Sequence, residues 1–391
     1  MIVRSLKAAK KLLALLVVSL AASLAVPWDQ ASAAGERNGN DRPDARVRVI
    51  AESADKVTMG VERGCEIVRE TKGLKALMCA EEVASSLGLQ QDIRIYKADT
   101  KANSHVGANV VQNSGDTGQG RKIVIIDTGY NHNHPELSSS YLGGKDFVND
   151  DNDPMDDNGH GSHVAGLVTG DGAKWRAKGV APAAGIISGK VLDGSGSGFF
   201  SDLVAALYWA VDGPDGVSGT ADDFKADAIN LSMGTEPPFV YKYYCDSEMP
   251  ALASAIKYAV DKGTIVVVAA GNYGTSGVSI PGCISHSFTV GAVNPYDKVA
   301  SFSGRGKGVD ISAPGTSLVS ASTGSDYATM SGTSMSTPVV SGIVALIKHE
   351  HPWYTPAKIQ QRIVSTALDL GVEGFDWSYG HGRVVAPAAV N

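Results

Sequence analysis

"GTIVVVAAGN", residues Gly263 to Asn272, decides how the rest of the chain is read. The run from Ile265 to Ala270 is apolar at every position and has no polar face to turn to water. A strand of this kind is covered on both sides, which points to a mostly parallel sheet between helices. "KIVIID" (122–127), "DAINLS" (227–232) and "SFTVGAV" (287–293) share the pattern. Helical stretches lie between and after them: "SDLVAALYWAV" (201–211), "MPALASAIKYAV" (249–260), "STPVVSGIVALIKHE" (336–350) and "TPAKIQQRIVSTAL" (355–368), the last with an N-cap at Thr355 and a proline at the first helical position. Strands alternating with helices predict an α/β fold around a doubly covered sheet. Ligand sites in such sheets lie beyond the carboxyl ends of the strands, and Gly271 and Asn272 follow such an end.

The sequence has 391 residues, 43 % hydrophobic and 19 % charged, an ordinary globular balance. Arg4, Lys7, Lys10 and Lys11 precede an apolar stretch from Leu12 to Val26, and "ASAA" follows at Ala31 to Ala34. A basic start, a short apolar core and a small-residue site read as a secretory signal peptide over residues 1–34, the apolar stretch being shorter than a spanning helix needs. The expected product is an exported protein with no membrane segment after signal removal. The net charge of −7, more acidic still without that basic leader, argues against nucleic acid as a partner. Cys65, Cys79, Cys245 and Cys283 would meet an oxidising compartment, where four cysteines allow three pairings. Their spacing is not that of a zinc site.

Residues 35–45 are polar and read as a lead. A small α/β unit is expected next, with "RVRVI" (46–50) and "DIRIY" (92–96) as strands, "CEIVRETKGLKALMC" (65–79) as a hairpin around Gly73, and "AEEVASSL" (80–87) as a short helix. Residues 98–120 show no periodicity and read as a linker.

Three polar residues stand out in the larger part. "VIIDTG" ends a strand with Asp127, "DDNGHGSHVAG" puts His160 at a helix start between glycines that admit other backbone, and "GTSMSTP" puts Ser334 at another. Each alone is a turn or cap residue. Together they carry a chemistry: a serine hydroxyl is a poor nucleophile at neutral pH, and needs an imidazole to take its proton and a carboxylate to hold the imidazole.

In this order, with Asn272 in "VVVAAGN", the chain from about Val106 to its end resembles the subtilase family. The resemblance implies a three-layer subtilisin-like catalytic domain over residues 106–391. It implies that Asp127 orients the base, His160 is the general base, Ser334 is the nucleophile, and Asn272 lines the oxyanion hole with the Ser334 N–H. It further implies substrate contacts at Ser232, Met233 and Gly234 in "NLSMG", Gly271 opposite, Ser279 at the base of the S1 pocket, and Gly196, Ser197, Gly198 and Phe200 in "GSGFF" as an edge strand. With no carboxylate in "SIPG", the expected P1 residue is apolar or aromatic, since pairing Lys or Arg needs acids. Ser162, Ser336 and Val339 depart from the usual Thr, Ala and His without removing a catalytic group. His163 reads as a packed helix histidine.

"DFVNDDNDPMDDNGHG" (146–161) holds six aspartates, a density that a hard cation would compensate. It resembles the calcium loop of thermitase-like subtilases, which implies Asp146, Asp151, Asp153 and the Met155 carbonyl as Ca²⁺ ligands. The family's other calcium site is expected to be lost, with Glu136 replacing Asp and Ala173 replacing Asn. The resemblance also implies a Cys245–Cys283 disulfide, leaving Cys65 with Cys79, and a propeptide over residues 35–105 that inhibits the enzyme until cut within 98–106. Peptide and protein substrates and a monomeric state are expected. A narrow processing protease, or an inert peptide-binding module on the same fold, are the alternatives.

Overall fold

The computed structural model describes residues 46–51, 53–71, 74–91, 101–173 and 177–391. The signal-peptide, lead and "DIRIY" expectations fall outside these residues. The chain divides into two compact units, residues 1–96 and 97–391.

In the smaller unit, β1 (Arg46–Ala51), β2 (Glu66–Thr71) and β3 (Leu74–Ala80) form an antiparallel sheet with the short β4 (Gln90–Gln91) in the order β2-β3-β1-β4. The β2–β3 pair is the expected hairpin, and Cys65 and Cys79 at its open end are joined by a disulfide. Helix α2 (Glu81–Ser86) matches its sequence pattern. Helix α1 (Ala54–Glu62) was not expected, although Ser53 caps it by accepting from the Lys56 N–H. Its buried Val57 and Gly60 make a stripe too narrow for the pattern to show.

The larger unit opens with two short helices, α3 (Lys101–Val106) and α4 (Ala108–Asn113), where a linker was expected. Their sequence lacks periodicity because tertiary contacts hold them. Ala102, Val106, Ala108 and Val111 are buried, and the Asn103 and Gln112 amides donate to the carbonyls of Lys178, Gly179 and Val180. Both helices therefore belong to the larger compact unit.

The elements that follow are β5 (Lys122–Asp127), β6 (Tyr141–Asp146), α5 (His160–Thr169), β7 (Gly185–Lys190), α6 (Phe200–Asp212), β8 (Ala228–Leu231), β9 (Val240–Tyr241), α7 (Pro250–Asp261), β10 (Ile265–Ala269), β11 (Val278–Ser279), β12 (Phe288–Val293), β13 (Ile311–Pro314), β14 (Leu318–Ala321), β15 (Tyr327–Met330), α8 (Thr333–Glu350), α9 (Pro356–Ser365) and α10 (Ala386–Val390). Seven strands form one sheet, order β13-β12-β10-β8-β5-β7-β6, every pair parallel. The two-residue period of a strand divides its side chains between two cores. Ile123, Ile125, Val267 and Val290 face α5 and α8, while Val124, Ile126, Ile229, Val266 and Val268 face α6 and α7. This is the three-layer arrangement that the all-apolar strands required. Cys245, just ahead of α7, is bonded to Cys283, just ahead of β12.

Among the described residues, no helix is long and apolar enough to cross a membrane.

Candidate active site

At the carboxyl end of the sheet lies an open cleft of about 640 Å³ lined by His160, Asn272 and Ser334. Strand β5 ends in Asp127, fully buried next to Thr128, which lines the cleft. The His160 ring, 26 % exposed, meets Asp127 through a 2.7 Å hydrogen bond from Nδ1 to Oδ1. Asp127 Oδ1 also accepts from the Thr128 N–H at 2.7 Å. Burial lowers the His160 pKa, but the charge and hydrogen bond of Asp127, with the charge of Asp156, outweigh it and hold the pKa above its ordinary value.

The loop before α5 is tied to β5 by one carboxylate. Asp156 accepts from Thr128 Oγ1, from the N–H groups of Asn158, Gly159 and Ser162, and from Ser162 Oγ. Burial pushes its pKa up and these donors more than reverse that, so it stays below the usual carboxylate range. A hydroxyl is all that position 162 needs, which is why Ser serves where Thr is usual. Glycine at 161 is obligatory: a Cβ there would lie 2.2 Å from the Gly129 carbonyl oxygen. His163 is the packed histidine expected, fully buried, with Nε2 donating to the Leu318 and Ala328 carbonyls. Burial lowers its pKa to about 4, so it is neutral.

Ser334 stands in the first turn of α8. Pro338, four residues on, has no N–H, so the Ser334 carbonyl lacks its helical partner. It accepts instead from Ser232 Oγ at 2.8 Å. Ser232 in turn accepts from Asn230 Nδ2, whose Oδ1 accepts from Ser341 Oγ on α8. A buried polar chain thus fixes the helix start to the end of β8. No hydrogen bond joins Ser334 Oγ to His160, although both line the cleft. Such contacts are commonly loose without substrate and tighten when it binds.

Asn272 is oriented by its neighbour. Its Oδ1 accepts from the Thr333 N–H at 2.9 Å and from Thr333 Oγ1 at 3.1 Å, and Thr333 Oγ1 accepts from the Gly271 N–H. The amide Nδ2 is left on the side of Gly332, where a Cβ would come within 3.3 Å of it. Thr333 was missed from sequence, although it directly precedes Ser334.

Of the expected substrate contacts, Gly196, Ser197, Gly198, Phe200, Ser232, Met233 and Gly234 line the cleft. Residues 196–198 form a turn with a single bridge, Leu192 to Gly198, rather than a strand, and Phe199 is the more exposed aromatic. Gly271 and Ser279 stand behind the wall, packed on each other, and Ile280 and Pro281 supply the surface there. The cleft also contains a carboxylate, Glu236, which the reading of "SIPG" did not include.

The aspartate loop closes largely on itself. Asp146 is buried and accepts from the Val148 and Asn149 N–H groups and from Asn149 Nδ2, and His132 contacts Asp153 at 3.1 Å. Asp146, Asp151 and Asp153 are not among the described residues whose ligand atoms gather within 4.8 Å. Asp151 and Asp153 remain exposed, so the set fits a hard cation only in part. Glu136, where the family's other calcium site is expected to be lost, is buried and accepts from the Gly172 N–H and the Tyr327 hydroxyl.

Residues 118–382 match the subtilase family. The chain is 40 % identical over 262 residues to a thermophilic serine proteinase of Bacillus sp. (strain AK1), a match covering 67 % of this chain and 60 % of that protein's length. It is 37 % identical to subtilisin Savinase of Lederbergia lenta, over 73 % of this chain and 96 % of that one. To subtilisin E of Bacillus subtilis (strain 168) it is 35 % identical, over 86 % of each. The chain belongs to the subtilase family of serine endopeptidases.

Proposed function

We propose that this protein is an exported endopeptidase that cleaves unstructured polypeptides through Asp127, His160 and Ser334, with broad tolerance and an apolar or aromatic preference at P1. The observation that carries this reading is the 2.7 Å Asp127–His160 hydrogen bond beside Ser334 in one open cleft. Ser334 Oγ attacks the scissile carbonyl carbon as His160 Nε2 takes its proton. The oxyanion forms toward Asn272 Nδ2 and the Ser334 N–H. His160 then gives the proton to the leaving amine, and water releases the acyl group by the same steps in reverse. Glu236 at the edge of the cleft broadens the preference towards basic residues. Digestion of casein, and its loss on treatment with a serine-directed fluorophosphonate, tests the reading; intact casein after long incubation would favour the inert module.

Asn272→Ala is expected to lower kcat by on the order of 10²–10³ with little change in KM, because its amide serves the oxyanion and not the ground state. A KM effect without a kcat effect would remove Asn272 from this role.

The small unit is read as an inhibitory propeptide and residues 1–34 as the signal peptide. The cut between propeptide and enzyme is expected ahead of Ala102, since Ala102 and Asn103 are buried in the larger unit. The mature enzyme is read as a monomer.

Asp151, Asp153 and the Met155 carbonyl, with whatever capacity Asp146 retains, are the proposed calcium ligands, and the ion would steady the loop leading into His160. Chelation with EGTA is expected to lower the thermal midpoint by about 5–10 °C relative to saturating calcium. An unchanged midpoint would remove calcium from this loop.

A further inference from the structure

The end of α8 remote from Ser334 carries a second cluster of ligating side chains. His349 follows Ser334 by fifteen residues, on the order of 22 Å along the helix. Its Nδ1 lies 2.8 Å from Asp116 Oδ1 and 3.8 Å from Glu350 Oε1. Asp116 belongs to the turn between α4 and β5, at the amino edge of the sheet. One ligand atom from each of Asp116, His349 and Glu350 falls within a common 4.8 Å.

Asp116 makes this more than a surface patch. Its side chain is 4 % exposed, Oδ1 accepts from the Gly118 N–H at 3.0 Å, and Oδ2 is buried with no hydrogen-bond partner. A buried carboxylate oxygen left unpaired beside a second carboxylate is costly unless a cation compensates both. The cations nearest in sequence are directed elsewhere: Arg121 and Lys348 each lie 3.8 Å from Asp227. A protonated His349 would balance only one of the two negative charges. His349 and Glu350, with side chains 32 % and 50 % exposed, leave a path from solvent.

We propose that Asp116, His349 and Glu350 bind a transition-metal dication, for which Zn²⁺ is the probe. Two carboxylates balance its charge, and the imidazole selects zinc-like ions over calcium, which takes oxygen ligands. Three protein ligands leave the fourth position to water. The bound ion joins the turn ahead of β5 to the last turn of α8, fastening the amino edge of the sheet to the helix that carries the nucleophile at its other end.

The test uses the full chain carrying Ser334→Ala, which does not digest itself, with calcium in excess throughout to fill hard-cation sites. Zinc is titrated by calorimetry and cobalt by its visible absorption. One ion per chain is expected, with affinity weakened more than about 10-fold by His349→Ala and by Glu350→Gln. Zinc should raise the unfolding midpoint of the parent and not that of His349→Ala. Both substituted side chains are partly exposed, and circular dichroism checks that each variant folds. If one fails to fold, the other decides. Absence of stoichiometric binding would overturn the proposal. So would equal affinity in parent and variants, which would place the ion at another group such as His132 and Asp153. The readout needs no proteolysis, so the result stands apart from the proposed peptidase activity.

Discussion

Ser334→Ala is expected to lower kcat on casein or a short peptide ester by on the order of 10⁶, the scale of loss seen when subtilisin loses its nucleophile. The size follows from how completely the site is built around one hydroxyl. His160 and Asp127 hold a proton acceptor ready, but without an attacking oxygen there is no bond for the proton transfer to assist. What survives is the modest help that Asn272 and the cleft give to water. The substitution should cost little stability. Ser334 makes its anchoring contact through its carbonyl, which accepts from Ser232 and is unchanged in alanine. The same variant reports on processing. Secreted wild type should have the mass of a chain starting ahead of Ala102, whereas Ser334→Ala should remain a precursor or a complex with its propeptide. Identical processing of the two would assign the cut to another protease. Near-normal casein hydrolysis by the variant would remove Ser334 from the chemistry.

The sheet was legible in the sequence because burial on both faces leaves a mark that needs no context. Ile265 to Ala270 and Ile123 to Ile126 have no polar position to spare. The candidate site stood out for another reason: its residues sit beside glycines and a proline with specific tasks, Gly159 holding a left-handed backbone, Gly161 admitting the Gly129 carbonyl and Pro338 withholding an N–H from the Ser334 carbonyl. What stayed hidden depends on contacts between segments far apart. Helices α3 and α4 owe their existence to carbonyls contributed by residues 178–180. Gly271 and Ser279 are pocket walls by resemblance to a family pattern; their packing, with Ser279 Oγ in the space a Cβ on Gly271 would need and Ile280 and Pro281 at the cleft surface, is a contact between separate segments that no motif displays. Glu236 was invisible because no motif marks a residue whose importance lies only in which cleft it faces. The aspartate loop shows the limit in the other direction: composition announces charge, but Asp146 settles much of its own within the loop.

Asp127→Asn should lower kcat by on the order of 10⁴ while leaving KM nearly unchanged, and should move the acid limb of the pH profile to lower pH. Both effects follow from the single bond between Asp127 Oδ1 and His160 Nδ1. The carboxylate accepts a hydrogen bond from the Nδ1–H, which keeps that proton on Nδ1 and leaves Nε2 bare to receive one from Ser334. An asparagine at 127 can offer its N–H to Nδ1, which drives the proton to Nε2 and presents the serine with a donor where it needs an acceptor. The pH effect has a definite sign. His160 works as a base only when neutral, so activity appears as pH rises through its pKa. Burial lowers that pKa, but Asp127 and Asp156 together hold it above the ordinary value. Removing the Asp127 charge and its hydrogen bond leaves burial opposed by Asp156 alone, and the pKa falls. The variant is thus expected to keep its residual activity into more acidic solution than the wild type, at a much lower plateau. Measuring kcat/KM across pH for both enzymes separates the two effects. An acid limb that stays in place while the plateau drops would mean that Asp127 orients His160 without setting its charge. A plateau near that of the wild type would mean that another group holds the base.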